Sequence, residues 1–337
     1  MKIMISGLIT ILLILSFCTS KAEIHSTRTF KFLQKEIDSL NYDVFDLDGQ
    51  KDAQLCVADG VNSKEFKTSF KKKTMAWTTV TAFYGAIGYW SYFAWYKGQQ
   101  HNSFCFEDEG TFGNNTYAGG SDKLGHMYSN YLMNRVSSQL LINGDFSKKT
   151  ATIASTTLTM LFFTGIELKD GVHASYGFSW GDMVANICGN VLAAVMLYFP
   201  TVDDMFDFRL EYFPSGPYRK ALANGDTNAG EDYSGMTFDL WYHLDSSPHI
   251  RFNNNEYIRL LRYIDVGIGW HTEHYKPEVH TGVSKRRKLS VGISLNIPLG
   301  LDYVFGENAK MFRRGAKGVL EYFTIPGTAK RVSVNLN

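Results

Sequence analysis

The chain has 337 residues, enough for one large or two smaller folded units, and 34 Lys and Arg against 33 Asp and Glu leave a formal net charge of +1. That balance excludes a global electrostatic case for nucleic-acid binding or for steering by charge. Hydrophobic residues reach 45% and aromatics 15%, yet mean hydropathy is −0.17, so apolar character is concentrated in particular stretches.

Residues 1–22 read as a secretory signal. Lys2 supplies the charge, Ile9 to Phe17 the apolar region, and Ser20-Lys21-Ala22 a small-x-small cleavage site before Glu23. A lipoprotein signal with Cys18 as the lipidated residue competes with it, although Phe17 is large for the position before that cysteine. An uncleaved anchor is the third option, and all three place the remainder outside the cytoplasm. Of the other cysteines, Cys56 and Cys105 lie in polar segments and form a candidate disulfide, whereas Cys188 in an apolar helix predicts a buried thiol.

Residues 23–73 form a polar N-terminal segment with a short amphipathic helix at FKFLQKEIDSL. Next comes the longest apolar run, Thr74 to Tyr96, long enough to span a bilayer and rich in the Thr, Gly and Ala that suit close helix packing. Three further helices are predicted over Leu124–Ile142, Thr150–Ile166 and Asp182–Phe199, giving a helical bundle over 74–200. Lys71 to Lys73 precede the first run on the wrong side for the positive-inside rule. The bundle is therefore expected outside the inner membrane or on a membrane surface. Residues 201–337 alternate apolar and polar at Gly235–Leu244, Leu261–Thr272, Lys288–Pro298 and Lys330–Asn337, predicting an antiparallel sheet of about four to six strands. The fold class is α+β, a membrane-associated helical bundle followed by a C-terminal antiparallel β-sheet.

The segment GGSDKLGHMYSNYLMNR, residues 119–135, holds the densest chemistry. Gly119-Gly120 suit a tight turn, Ser121 a helix cap, and Asp122 the first turn, where the helix dipole favours an anion. Asp122 and His126 stand four apart and share a helix face, while Lys123 points about 100° away. Glu167 ends a second helix within GIELKDG. Ser179 is a plausible cap for a third, with Asp182 in its first turn and Asn186 one turn on. Three helix ends thus direct carboxylates toward one edge, with Lys123 and His126 to complete the group.

The order GGSDKLGHMYSNY, GIELKDG, GFSWGDMVANICGN resembles the YfiM-like family of predicted periplasmic lipoproteins, a domain of unknown function. It is more distantly similar to VanZ-like membrane proteins, which share a spaced D-K-x-x-H, E and D-x-x-x-N arrangement. Positions matching that pattern are Asp122, Lys123, His126, Glu167, Asp170, Ser179, Asp182, Asn186 and Gly189. The resemblance covers roughly residues 100–200 and implies an envelope location but no reaction.

Three roles fit these residues. A paired charge network would fix helix packing. A metal centre would take N and O ligands from His126, Asp122, Glu167 and Asp182, in a set suited to Zn or Mn. A catalytic centre would use His126 as general acid or base, with Lys123 on an anionic group. Elsewhere, His271, His274 and His280, the basic turn Lys285 to Lys288 and the acidic Glu107-Asp108-Glu109 all read as solvent-facing. Asn114-Asn115-Thr116 matches a glycosylation sequon, discounted in view of the bacterial-type resemblance. Nucleotide-binding and nucleophile-elbow motifs are absent, so no cofactor is expected. The expected function is that of an exported envelope protein of structural, scaffolding or lipid-binding type at a periplasm-facing membrane, with the outer membrane favoured. Membrane lipid is the expected partner. The alternative is a membrane-proximal hydrolase or transferase acting on a lipid or phosphorylated substrate through His126 and Asp122.

Overall fold

A computed structural model of the chain describes residues 63–224, 228–275, 284–305 and 318–336. The signal segment, Cys18, Cys56, the FKFLQKEIDSL helix and His280 lie outside them. Four long helices come first: α1 (Ser63–Ser91, continued by a π-turn over Tyr92–Tyr96), α2 (Ser121–Asn143), α3 (Lys148–Asp170) and α4 (Trp180–Tyr198). Six strands follow: β1 (Phe206–Tyr212), β2 (Met236–His243), β3 (Ile264–Glu273), β4 (Arg286–Leu295), β5 (Phe323–Thr324) and β6 (Ala329–Leu336), in the order β5-β1-β2-β3-β4-β6. The fold is α+β. The sheet is mixed rather than purely antiparallel, because the two-residue β5 runs parallel to β1. β1 escapes the sequence reading, since its aromatic residues are interleaved with Asp207, Arg209 and Glu211.

α2 is the axis of the molecule. One face packs Tyr128, Tyr131 and Leu124 against Phe208, Phe238 and Met236 of the sheet. The opposite face carries Asn130 and Asn134, both fully buried against α4 rather than turned to water. Asn130 Nδ2 donates to Asn186 Oδ1 at 2.6 Å, and one turn later Asn134 donates to Asn190 Oδ1. Ser155 on α3 donates to Asn134 Oδ1 at 2.7 Å, and Asn190 donates to the Thr156 carbonyl at 2.8 Å. This ladder gives each of the four amide nitrogens a partner, where an unpaired one would cost about 1–3 kcal/mol, and leaves Asn130 Oδ1 unpaired.

The polar residues point inward, and many apolar ones point out. On α4 the buried stripe is Asp182, Ala185, Asn186, Gly189, Asn190 and Ala193, while Val184, Ile187, Val191 and Val195 are exposed. Cys188 falls on that outward side as an exposed free thiol, not the buried thiol expected of an apolar helix, because the inner face is the polar one. Cys105 is likewise exposed and has no disulfide partner among the described residues, its candidate partner Cys56 lying outside them. α3 buries Ala151, Ser155, Thr159, Phe163 and Glu167 at every fourth position and exposes Ile153, Leu161 and Leu168. α3 and α4 are also the two helices, among the described residues, long and apolar enough to cross a membrane. The Thr74–Tyr96 run does not qualify, its tyrosines, tryptophans and threonines lowering its hydropathy.

The sheet repeats the inversion. Ile268, Val291 and Val332 are cross-strand neighbours on one face, joined there by Leu289, Ile293, Leu295 and Val334, and all seven are exposed. The other face buries Asp207, Arg209, Asp239 and Asp265. Arg209 donates to both Asp207 and Asp265. His243 lies between the same two acids, with Nδ1 2.7 Å from Asp265 Oδ1 and Nε2 3.2 Å from Asp207 Oδ2.

Burial works against a charge on His243, but the hydrogen-bonded Asp207 and Asp265 outweigh it and hold its pKa up at about 10. A pKa above the unfolded value adds stability that is complete below about 6.5 and lost as pH rises through about 10. Unfolding free energy, read from denaturant titrations, is expected to fall between these limits by up to roughly 5 kcal/mol. His243→Gln is expected to flatten that slope, and an unchanged slope would show that the imidazole carries no such charge.

Candidate functional site

The site forms where the N-termini of α2 and α4 meet the C-terminal end of α3. Gly119 and Gly120 turn the chain into α2 at φ +62° and +94°, and a Cβ on Gly120 would strike the Phe112 ring at 2.2 Å. Trp270 donates to the Gly119 carbonyl at 3.2 Å, so the end of β3 holds this turn. Ser121 is not the cap. It lies within the helix, fully buried, with Oγ 2.9 Å from Thr272 Oγ1. Ser179 does cap α4, accepting from the Asp182 amide at 3.3 Å.

Asp122, Lys123, His126, Glu167 and Asp182 come together, joined by Glu109. Lys123 Nζ stands 2.9 Å from Asp122 Oδ2, 2.7 Å from Asp182 Oδ1 and 2.6 Å from Glu109 Oε2, with its side chain only 6% exposed. The 100° between Lys123 and the Asp122–His126 face is absorbed by its four-carbon stem. His126 Nδ1 lies 3.2 Å from Asn186 Oδ1 and 3.3 Å from Glu167 Oε1. Its Nε2 is 3.8 Å from both Asp122 Oδ1 and Asp182 Oδ1, too long for a hydrogen bond. Tyr233 Oη donates to Asp122 Oδ1 at 2.6 Å, and Asn186 Nδ2 to Glu167 Oε1 at 3.1 Å. Asp170 sits apart from the ion pairs and accepts from Tyr96 Oη at 2.7 Å.

The electrostatics follow from four acids around two bases. Burial disfavours charge on Lys123 and His126, but Asp122 and Asp182 beside both overcome it. Lys123 is held well above its ordinary value and His126 at about 9. Burial and the neighbouring Asp122 push Glu109 up to about 8. Nδ1 of His126 is committed to Glu167 and Asn186, which leaves Nε2 as the ring nitrogen without a hydrogen bond.

The cluster forms the floor of a cavity of about 390 Å³ between bundle and sheet. Trp90, Trp95, Leu132, Phe163, Ile166 and Phe238 are among its walls, and the His126 side chain, 21% exposed, is more open than those of Asp122, Glu167 and Asp182. Sequence reading misses Glu109, which hides beside the exposed Glu107 and Asp108, and Tyr233, which is 111 positions from Asp122. The local signal available for Glu109 was its place eleven residues before the turn into α2.

The other histidines and basic residues are accounted for locally. His271 Nδ1 donates to the Met236 carbonyl at 2.9 Å, and His274 Nδ1 to that of Ser284 at 3.2 Å. The basic turn is less solvent-facing than expected: Lys288 pairs with Glu273, and Arg287 donates to the Phe112 carbonyl.

No curated protein and no solved structure matches this chain. The similarity to VanZ-like membrane proteins is not shown by the matches. Residues 108–198, from the acidic loop to the end of α4, match the family described as predicted periplasmic lipoprotein, DUF2279, a domain of unknown function; this supports an exported cell-envelope protein of uncharacterised role.

Proposed function

We propose that this protein is seated in a membrane of the cell envelope and binds a lipid-class amphiphile in the cavity between bundle and sheet. The observation that carries the reading is the cavity, whose walls are aromatic and aliphatic and whose floor is charged. An amphiphile matches that division: its chain desolvates against Trp90, Phe163 and Phe238 while its polar end meets His126 and Glu167. The inverted polarity of α3, α4 and the β3-β4-β6 face supports the membrane seat, since exposed aliphatic stripes over buried amides and charges suit a hydrocarbon solvent.

Protein purified in mild detergent is expected to carry a lipid species identifiable by mass spectrometry of the extract. Leu132→Trp, which fills the cavity, is expected to lose it while retaining the wild-type fold. Equal lipid in both proteins would remove the cavity as the binding site. The seat is tested separately through the two exposed cysteines, Cys105 and Cys188, after reduction. A charged thiol reagent applied to membranes opened to expose both faces is expected to label Cys105 and spare Cys188, as read by peptide mass spectrometry. Equal labelling of the two would exclude a lipid-facing α4.

A further inference from the structure

The floor of the cavity contains a gap that its own hydrogen bonds leave unfilled. His126 Nε2 faces Asp122 Oδ1 and Asp182 Oδ1 at 3.8 Å each, and the three ligand atoms all lie within 4.8 Å of one another. An N–H donor at that distance bonds to neither oxygen. A cation seated between the three would start roughly 2.2–2.5 Å from each, and the donors closing in by a few tenths of an ångström would bring it to the about 2.0–2.2 Å of Zn–imidazole and Zn–carboxylate bonds.

The surroundings are those of a supported ligand set. Nδ1 of His126 is occupied by Asn186 and Glu167, which fixes the ring so that Nε2 faces the gap. Asp122 divides its oxygens: Oδ2 takes the Lys123 ammonium, while Oδ1, oriented by Tyr233, faces the gap. Asp182 is 5% exposed, and its Oδ1 has Lys123 at 2.7 Å as a charge partner but receives no directed hydrogen bond. Four carboxyl groups, those of Glu109, Asp122, Glu167 and Asp182, surround the Lys123 ammonium and the His126 ring.

We propose that Asp122, His126 and Asp182 bind one divalent metal ion of the Zn²⁺ or Mn²⁺ class at the cavity floor, the ion displacing a proton from His126 Nε2 to solvent and keeping its remaining positions open to the cavity. One imidazole and two carboxylates form a borderline-to-hard donor set, which suits these ions better than a thiolate-seeking one. Glu167 and Asn186 act as positioning residues through the His126 ring. The inference does not depend on what occupies the cavity.

Full-length protein, purified in detergent without chelator and assayed for metal content, is expected to carry one equivalent of Zn or Mn. Chelator-stripped protein is expected to bind Zn²⁺ or Mn²⁺ saturably in calorimetry and to gain thermal stability on adding the ion. Asp182→Asn is expected to abolish both responses, whereas Glu107→Gln, at an exposed acid on the neighbouring loop, keeps them. Asn186→Ala is expected to weaken binding roughly 10–100-fold, the usual penalty for removing an outer-shell partner. Co²⁺ added to stripped wild-type protein gives a test independent of variant folding, since an imidazole ligand alters its visible spectrum. Absence of stoichiometric metal together with no saturable binding of Zn²⁺ or Mn²⁺ by the stripped wild-type protein would overturn the site. Saturable binding unchanged in Asp182→Asn would overturn the ligand assignment. Lipid bound by protein that neither carries metal nor takes it up after stripping would remove this inference and leave the cavity reading standing.

Discussion

Replacing Gly189 by alanine is expected to cost about 3 kcal/mol or more of stability. The added Cβ would lie 1.9 Å from the Met127 carbonyl oxygen and 2.9 Å from its Cα, so the obstruction is backbone and has no rotamer to escape into. α2 and α4 would have to separate, stretching the Asn130–Asn186 and Asn134–Asn190 hydrogen bonds on either side. Gly165→Ala provides the contrast. Nothing lies within 4 Å of its Cβ position, so the helix-propensity gain of roughly 0.5–1 kcal/mol should emerge as stabilisation. Thermal unfolding of the two variants in the same detergent measures both. A Gly189→Ala protein as stable as wild type would refute the close crossing of α2 and α4.

The second large effect is expected at Lys123. Its ammonium is the shared partner of Glu109, Asp122 and Asp182, whose side chains are 13%, 8% and 7% exposed. Lys123→Met keeps most of the volume but leaves three carboxylates facing one another without their cation. Breaking a buried ion pair from one side typically costs 3–5 kcal/mol, because the remaining charge stays desolvated. Adding Glu109→Gln to that variant should recover part of the loss by replacing one of the three clustered carboxyl groups with a neutral amide. If Lys123→Met unfolds at the wild-type temperature, the network is not closed in the way its distances indicate.

Much of this arrangement was written in local sequence. The spacing of Asp122 and His126 placed them on one helix face, and Ser179 marked the start of α4 with Asp182 in its first turn. The α+β division followed from apolar helices giving way to period-2 strands after Pro200. What local sequence does not carry is which side of an alternating pattern faces inward. In KLSVGISL the two faces are plain, but only the assembled sheet shows that Ser290 and Ser294 are buried while Leu289, Val291 and Ile293 are exposed. The same ambiguity hid the Asp207-Arg209-His243-Asp265 network, because charges alternating along a strand read as a solvated edge. Long-range partners were equally out of reach: Tyr233 meets Asp122 only when the sheet docks on α2.

That last contact bears on how divisible this protein is. The stretch resembling a known family ends at residue 198, yet Leu210, Tyr233, Met236, Phe238 and Phe323 also line the cavity. Excised at that boundary, the bundle would lose a wall of the chamber and the phenol that orients Asp122. The helices supply the charges and the strands close the room around them. A graft or truncation made at the family boundary would carry over the motif without the chamber it belongs to.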